Sequence, residues 1–147
     1  MSHSSRFTVA VHVLGMLALG GSVPKTSETI ARSVNTNPVV IRRILGILGK
    51  AGLVETHPGA GGGSILAHPP QKISLLEGYR LMENRELFPL HNQPPSDDCL
   101  CGRHIQVVLL EVFSRASRAM EEVLAETTVA DIAHQIEELE EGACQPC

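Results

Sequence analysis

Four cysteines stand in two close pairs, Cys99-x-Cys101 and Cys144-x-x-Cys147. Thiolates are nucleophiles and soft metal ligands, so both pairs are candidates for redox or metal chemistry. Two thiolates one residue apart do not supply the ligand set of an iron–sulfur cluster. His91 and His104 would complete a tetrahedral zinc site on count alone. Histidines at a linker and a helix start are more simply structural, so no metal ligand and no cofactor is assigned. Cys99 and Cys101 precede a long helix, whose N-terminal dipole favours thiolate, while Asp97 and Asp98 oppose that effect. A disulfide between residues one apart is strained. An oxidised state is therefore expected to join subunits, or to reach Cys144 or Cys147. The latter pair, with Gly142 before it and Pro146 inside it, reads as a frayed tail.

A second set of side chains suits a polyanion. From Lys25 to His57 there are five Lys or Arg against two Glu, whereas from Glu111 to Cys147 nine acidic residues stand against two Arg. The chain is acidic overall, at −4, but the distribution sets the local field. The acidic end has the plain reading of a solvated helix face. Inside the basic stretch lie Asn37, Pro38, Val39, Arg42, Arg43 and Lys50, then His57 and the glycine-rich run Gly59-Ala60-Gly61-Gly62-Gly63. Arg reads guanine through two hydrogen bonds, and glycines let backbone N–H groups approach phosphates.

These residues need elements to hold them. Phe7, Ala10, Val11, Leu14 and Leu17 recur at helical spacing and predict a buried helix over Arg6–Leu19, stopped by Gly20-Gly21. Thr26 can cap a helix over Ser27–Val34, with Glu28 in its first turn. After the polar turn Asn35-Thr36-Asn37, Pro38 suits the first position of a helix that runs to about Ala51, with Val40, Ile44, Ile47 and Leu48 inward. Leu53–His57 and Ser64–Ala67 predict a hairpin about the glycines. Ser74-x-x-Glu77 is a capping box opening a helix over Leu75–Asn84. A proline-rich linker follows. Leu100–Glu126 is then one long helix, with Ile105, Val108, Leu109, Val112, Ala116, Ala119, Met120 and Val123 as its apolar stripe. Thr128 caps a last helix over Val129–Leu139, expected across a partner subunit or beside the first helix.

Two short helices joined by a tight turn and followed by a glycine hairpin make a winged helix-turn-helix. The plainer alternative is a small helical domain with two solvated arginines, but the order of elements matches the winged helix throughout. Aromatic residues are 3% of the chain and hydrophobic residues 43%, so the core must be aliphatic. No Walker loop, GxSxG or HExxH is present, which argues against an enzyme. The longest apolar run, Val9–Leu19, is too short for a membrane span. Cysteines without an export signal point to the cytoplasm.

Ser27-Glu28-Thr29-Ile30-Ala31, Asn37–Leu45, Lys50-Ala51-Gly52-Leu53-Val54 and Gly59–Gly63 together resemble the Rrf2 family of bacterial transcription regulators. The resemblance covers nearly the whole chain. It implies a winged-helix homodimer with a long crossed dimerisation helix, in a family whose members sense iron–sulfur status, nitric oxide, thiol oxidants or cysteine metabolism. Two departures stand out. His57 and Pro58 occupy the place where members often carry an Arg for the minor groove. Only Cys99 and Cys101 stand where cluster-binding members carry three cysteines, so the chain is similar to the branch without a cluster.

The expectation is thus a mainly α fold with a small β-hairpin wing. Residues 1–85 would form the DNA-binding domain, 86–99 a linker, and 100–147 the dimerisation and C-terminal helices. The partners would be a second copy and double-stranded DNA, contacted by Thr26, Ser27, Asn37, Pro38, Val39, Arg42, Arg43, Lys50, His57, Gly59, Gly61 and Gly62. A sequence-specific DNA-binding repressor is the leading reading, with Cys99 and Cys101 as candidates for a thiol switch added to it. A metal- or cluster-sensing regulator and a helical interaction module without DNA binding are the alternatives. No effector is assigned.

Overall fold

Helix α1, Arg6–Gly20, is built almost wholly of apolar residues, and its Ala10, Val13, Leu14 and Leu17 are buried. It forms the centre of one of two compact units in the computed structural model, which describes residues 4–143. That unit comprises the chain up to Glu83 together with the segment from Leu124 onward.

Helix α2, Ser27–Val34, begins where the Thr26 hydroxyl accepts a hydrogen bond from the Thr29 N–H at 3.2 Å. It ends at Asn35, which takes the left-handed conformation at φ 62°. Helix α3, Pro38–Lys50, starts with the Asn37 carboxamide oxygen accepting from the Val39 N–H at 2.9 Å. Ile41, Ile44, Leu45 and Leu48 of α3 are buried. The inward face is thus rotated from the sequence expectation: Val40 is exposed and Ile47 only half-buried. The reason is the 3.6-residue turn, which brings 41, 44, 45 and 48 onto one face against α1 and α2.

Strands β1, Val54–His57, and β2, Gly63–Leu66, pair antiparallel with Val54 opposite Leu66 and His57 opposite Gly63. Lys25 joins them through backbone bonds with Ser64, at 3.0 and 2.8 Å. Glycine is required here. A Cβ at Gly62 would lie 2.1 Å from the His57 carbonyl, and Gly63, at φ +144°, sits against the Lys25 backbone. A 3-10 turn at Pro70–Lys72, not foreseen from the sequence, leads to α4, Leu75–Met82, which opens on the expected capping box.

Helix α5, Leu100–Glu126, is followed by α6, Val129–Ala143. The Val129 N–H donates to the Ile73 carbonyl at 2.9 Å, and Val129 is buried with Ala133. Gly15 of α1 lies close enough to α6 that its absent Cβ would be 3.7 Å from Ile132. Of the two positions expected for the last helix, beside α1 is the one found. Helix α6 groups with the N-terminal unit, its apolar face completing the core around α1.

The other unit is Asn84–Val123, the linker plus most of α5. Phe88 stacks on Phe113 with ring centroids 5.1 Å apart. Arg103 donates to the Asp97 carbonyl at 2.9 Å. No residue of α5 is buried. No helix among the described residues is long and apolar enough to cross a membrane.

Candidate nucleic-acid interface

Helix α3 is held by four buried aliphatic side chains on one face, so its other face is fixed in orientation. That other face carries Val39, Arg42, Arg43, Gly46 and Lys50, all exposed. Val39 is 54% exposed, a large apolar side chain with no core to fill. Arg43 makes no ion pair or hydrogen bond among the described residues. Lys50 closes the last turn of α3, where a cation offsets the helix dipole. Pro38 is half-buried at the helix start.

Arg42 is differently placed. Its guanidinium donates to the Glu28 carboxylate at 2.5 Å, across the turn between α2 and α3. The Glu28 carboxyl is held below the usual carboxylate range, first by its own backbone N–H and next by Arg42. Sequence reading left Glu28 as a helix-dipole residue only. The pairing was not visible because its partners lie 14 residues apart and meet only once the turn is formed.

The start of α2 lies beside this face. The Thr26 hydroxyl is engaged in its own helix, sharing a hydrogen bond with the Thr29 hydroxyl at 2.9 Å. Ser27 is half-buried. Between the α2 start, α3 and the hairpin runs an open groove of about 520 Å³, lined by Lys25, Ser27, Arg42, Gly46, Gly49 and Thr56 among others. Lys25, Gly49 and Thr56 were not singled out from the sequence.

The hairpin tip is exposed, with Gly59 and Gly61 at φ +95° and +75°. His57, also exposed, lies 3.7 Å from Glu55. Gly62 is spent on the tight turn and is half-buried.

Cys99 and Cys101 are both free and exposed. The N–H of Gly102, and secondarily that of Cys101, lowers the Cys99 thiol below its ordinary value. These two cysteines belong to the other unit, so the thiols and α3 are in separate bodies. Cys144 and Cys147 lie outside the described residues.

The Rrf2 family model, described as an iron-dependent transcriptional regulator, matches residues 3–135. A Bacillus subtilis protein, YwnA, which carries a provisional name as an HTH-type transcriptional regulator, is 40% identical over 134 residues, covering 90% of this chain and 98% of its own length. The solved structure of CymR, the global cysteine regulator of B. subtilis, overlays with a TM-score of 0.71 at 25% identity, over 92% of this chain and 98% of that one. IscR of T. potens overlays with a TM-score of 0.74 at 26% identity, over 100% of this chain and 93% of that one. The family description names iron, yet Cys99 and Cys101 are the free cysteines among the described residues, and no group of three or more His, Cys, Asp or Glu gathers there. Among the described residues, that donor set does not supply the ligands of an iron–sulfur cluster. The helix-turn-helix, the glycine hairpin, the long following helix and the match along nearly the whole length agree: the chain belongs to the Rrf2 family of transcriptional regulators, a class that is not enzymatic.

Proposed function

We propose that this regulator binds a pseudo-palindromic operator as a homodimer and acts as a repressor. The observation that carries the reading is α3. Its buried side fixes it to the core, and its outer side presents Val39, Arg42 and Arg43 with Asn37 at the helix start. In this reading each α3 enters a major groove, and half-sites lie about one helical turn apart. Arg43 reads base edges or phosphate. Val39 meets thymine methyl groups, the usual apolar contact in the major groove. Asn37, whose oxygen caps α3, keeps its NH2 group for a base or phosphate. Thr26, Ser27, Pro38, Lys50 and the wing residues His57, Gly59, Gly61 and Gly62 line the backbone on either side.

The dimer reading rests on α5. Leu100, Val107, Val108, Leu110, Val112 and Val123 are each at least half exposed, on a helix with no buried residue. A second copy is the commonest partner for such a stripe. The experiment is selection of duplexes from a random-sequence pool by the full-length protein, followed by titration of the selected duplex. Replacing Arg42 and Arg43 together by Ala should weaken binding tenfold or more, at about 1–3 kcal/mol per lost specific contact. Unchanged affinity refutes the α3 assignment. A second reading, thiol sensing, is favoured by the N–H groups aimed at Cys99. Operator affinity measured with and without peroxide, beside Cys99→Ser, tests it.

A further inference from the structure

We propose that the groove between α2, α3 and the hairpin seats a sugar-phosphate segment of the bound duplex, and that Gly46 and Gly49 are glycine in order to admit it. The inference rests on the reading of α3 as the DNA-contacting helix.

Glycine is the poorest helix former after proline, yet α3 holds two in thirteen residues. The usual reasons are missing. Neither Gly46 nor Gly49 has a positive φ. A Cβ at Gly46 would meet nothing within 4 Å, and one at Gly49 only the Val54 carbonyl at 3.7 Å, an ordinary contact. The contrast with Gly62, Gly63 and Gly102 is sharp, since a Cβ at each of those would strike backbone at 2.1–2.7 Å. The fold needs those three and does not need these two.

What Gly46 and Gly49 share is the groove. They continue one stripe of α3 that begins at Val39 and passes through Arg42, at spacings of three and four residues. Along this stripe the side chains shrink from Val and Arg to nothing. The facing walls are Lys25, Ser27 and Thr56, and no acidic residue lines the groove. The Thr56 hydroxyl is within 3.0 Å of that of Ser64, which anchors it to the hairpin. Lys25, Arg42 (whose guanidinium also holds the neighbouring Glu28 carboxylate), hydroxyl groups and bare helix backbone fit a phosphodiester that approaches closely. The strand read by the N-terminal part of α3 is the polyanion that continues along the same stripe.

Gly46→Leu isolates the point, because its Cβ meets nothing within 4 Å and the rest of its side chain extends into the groove. Gly46→Ala is the conservative companion. Both are expected to melt at the wild-type temperature or above it. With the duplex selected by the wild-type protein, Gly46→Leu should bind at least tenfold more weakly and Gly46→Ala only a few-fold. The log–log salt slope should fall by about 0.9 for each phosphate lost. A scan in which single phosphates are made neutral methylphosphonates supplies the decisive readout. One phosphate per half-site should weaken the wild type several-fold and leave Gly46→Leu indifferent, while the other phosphates affect both proteins alike. Wild-type affinity and an unchanged phosphate profile in Gly46→Leu would overturn the groove assignment while the α3 reading stands. Retained duplex affinity with loss of inorganic phosphate binding would give the groove to a free anion and equally overturn it. Failure of the wild type to select any duplex would remove both readings.

Discussion

Leu14 and Val107 are both aliphatic residues inside a helix, yet the first is 0% exposed and the second 70%. The difference belongs to the two units that contain them. Around α1 the chain closes on itself: α2, α3, α4 and α6 cover it, and their starts are tied down by Thr26, Asn37, Ser74 and Thr128. Along α5 no side chain is fully buried, and Leu100, Val107, Val108, Leu110, Val112 and Val123 are each at least half exposed. The N-terminal unit is finished as a single chain. The α5 unit has an apolar surface whose burial would be worth about 25 cal/mol per Å², and nothing in its own 40 residues covers it.

The comparison breaks most visibly if equal truncations have equal effects. Leu14→Ala should cost about 2–5 kcal/mol, since it removes a buried side chain and leaves a cavity. Val107→Ala, measured by urea denaturation at concentrations where the protein is monomeric, should change stability by no more than about 0.5 kcal/mol. Similar losses in the two variants would mean that α5 is packed within its own chain.

Charge placed on the stripe sharpens the same point. Val108→Glu with Val112→Glu should leave the monomer folded and raise the dimer dissociation constant about a hundredfold, because two carboxylates from each subunit would have to be desolvated. Sedimentation velocity over a concentration series reads this directly. A double variant that sediments like the wild type would exclude this stripe as the interface.

A smaller effect belongs to the closed unit. The Ser74 hydroxyl accepts from the Glu77 N–H at 3.4 Å while the Glu77 carboxylate accepts from the Ser74 N–H at 2.9 Å. Ser74→Ala should therefore cost about 1 kcal/mol in chemical denaturation. The loss should add to that of a core truncation on a helix with no substantial contact to α4, such as Ile30→Ala of α2. Strong non-additivity would show that α4 is not independently capped.

Much of this was legible in the sequence for a physical reason. Caps and apolar periodicity act within a few residues, so Thr26, Asn37-Pro38 and Ser74-x-x-Glu77 mark their helix starts, and α2 and α5 fall on their expected bounds. What depends on residues far apart was not legible. The inward face of α3 was misjudged by one position at Val40 and Ile41, because both are aliphatic and only contact with α1 and α2 decides between them. The return of α6 to α1 brings Ile132 beside Gly15, a meeting of residues more than a hundred positions apart that no local pattern announces. Glu28 and Arg42 are unremarkable until the turn brings them together. Gly46 and Gly49 carry no local signal that marks them out, and only the empty space about their Cβ positions separates them from the glycines of the hairpin.

The two units differ also in how a helix begins, and that yields the smallest effect. Hydroxyl, carboxamide and carboxylate groups cap α2, α3, α4 and α6, whereas at the head of α5 the N–H groups of Gly102 and Cys101 act on the Cys99 sulfur. Hydrogen bonds to the charged form favour it, so the thiolate is stabilised and the Cys99 pKa is lowered. The sign follows. As pH rises, the folded protein gains thiolate before an unfolded chain does, so the alkylation rate of Cys99 should reach half its plateau below the ordinary thiol value of about 8.5. Urea should move that midpoint upward by removing the N–H groups. At neutral pH the gain over the unfolded chain is expected to be only a few-fold, because a thiolate of lower pKa is also the weaker nucleophile. Iodoacetamide labelling across pH, resolved by peptide mass spectrometry so that Cys99 is scored apart from Cys101, Cys144 and Cys147, makes the measurement. A midpoint that is the same in native and unfolded protein would show that the sulfur is not held by the α5 N–H groups. The α5 unit would then lack the one feature of its N-terminal end that resembles the capped helices of the closed unit.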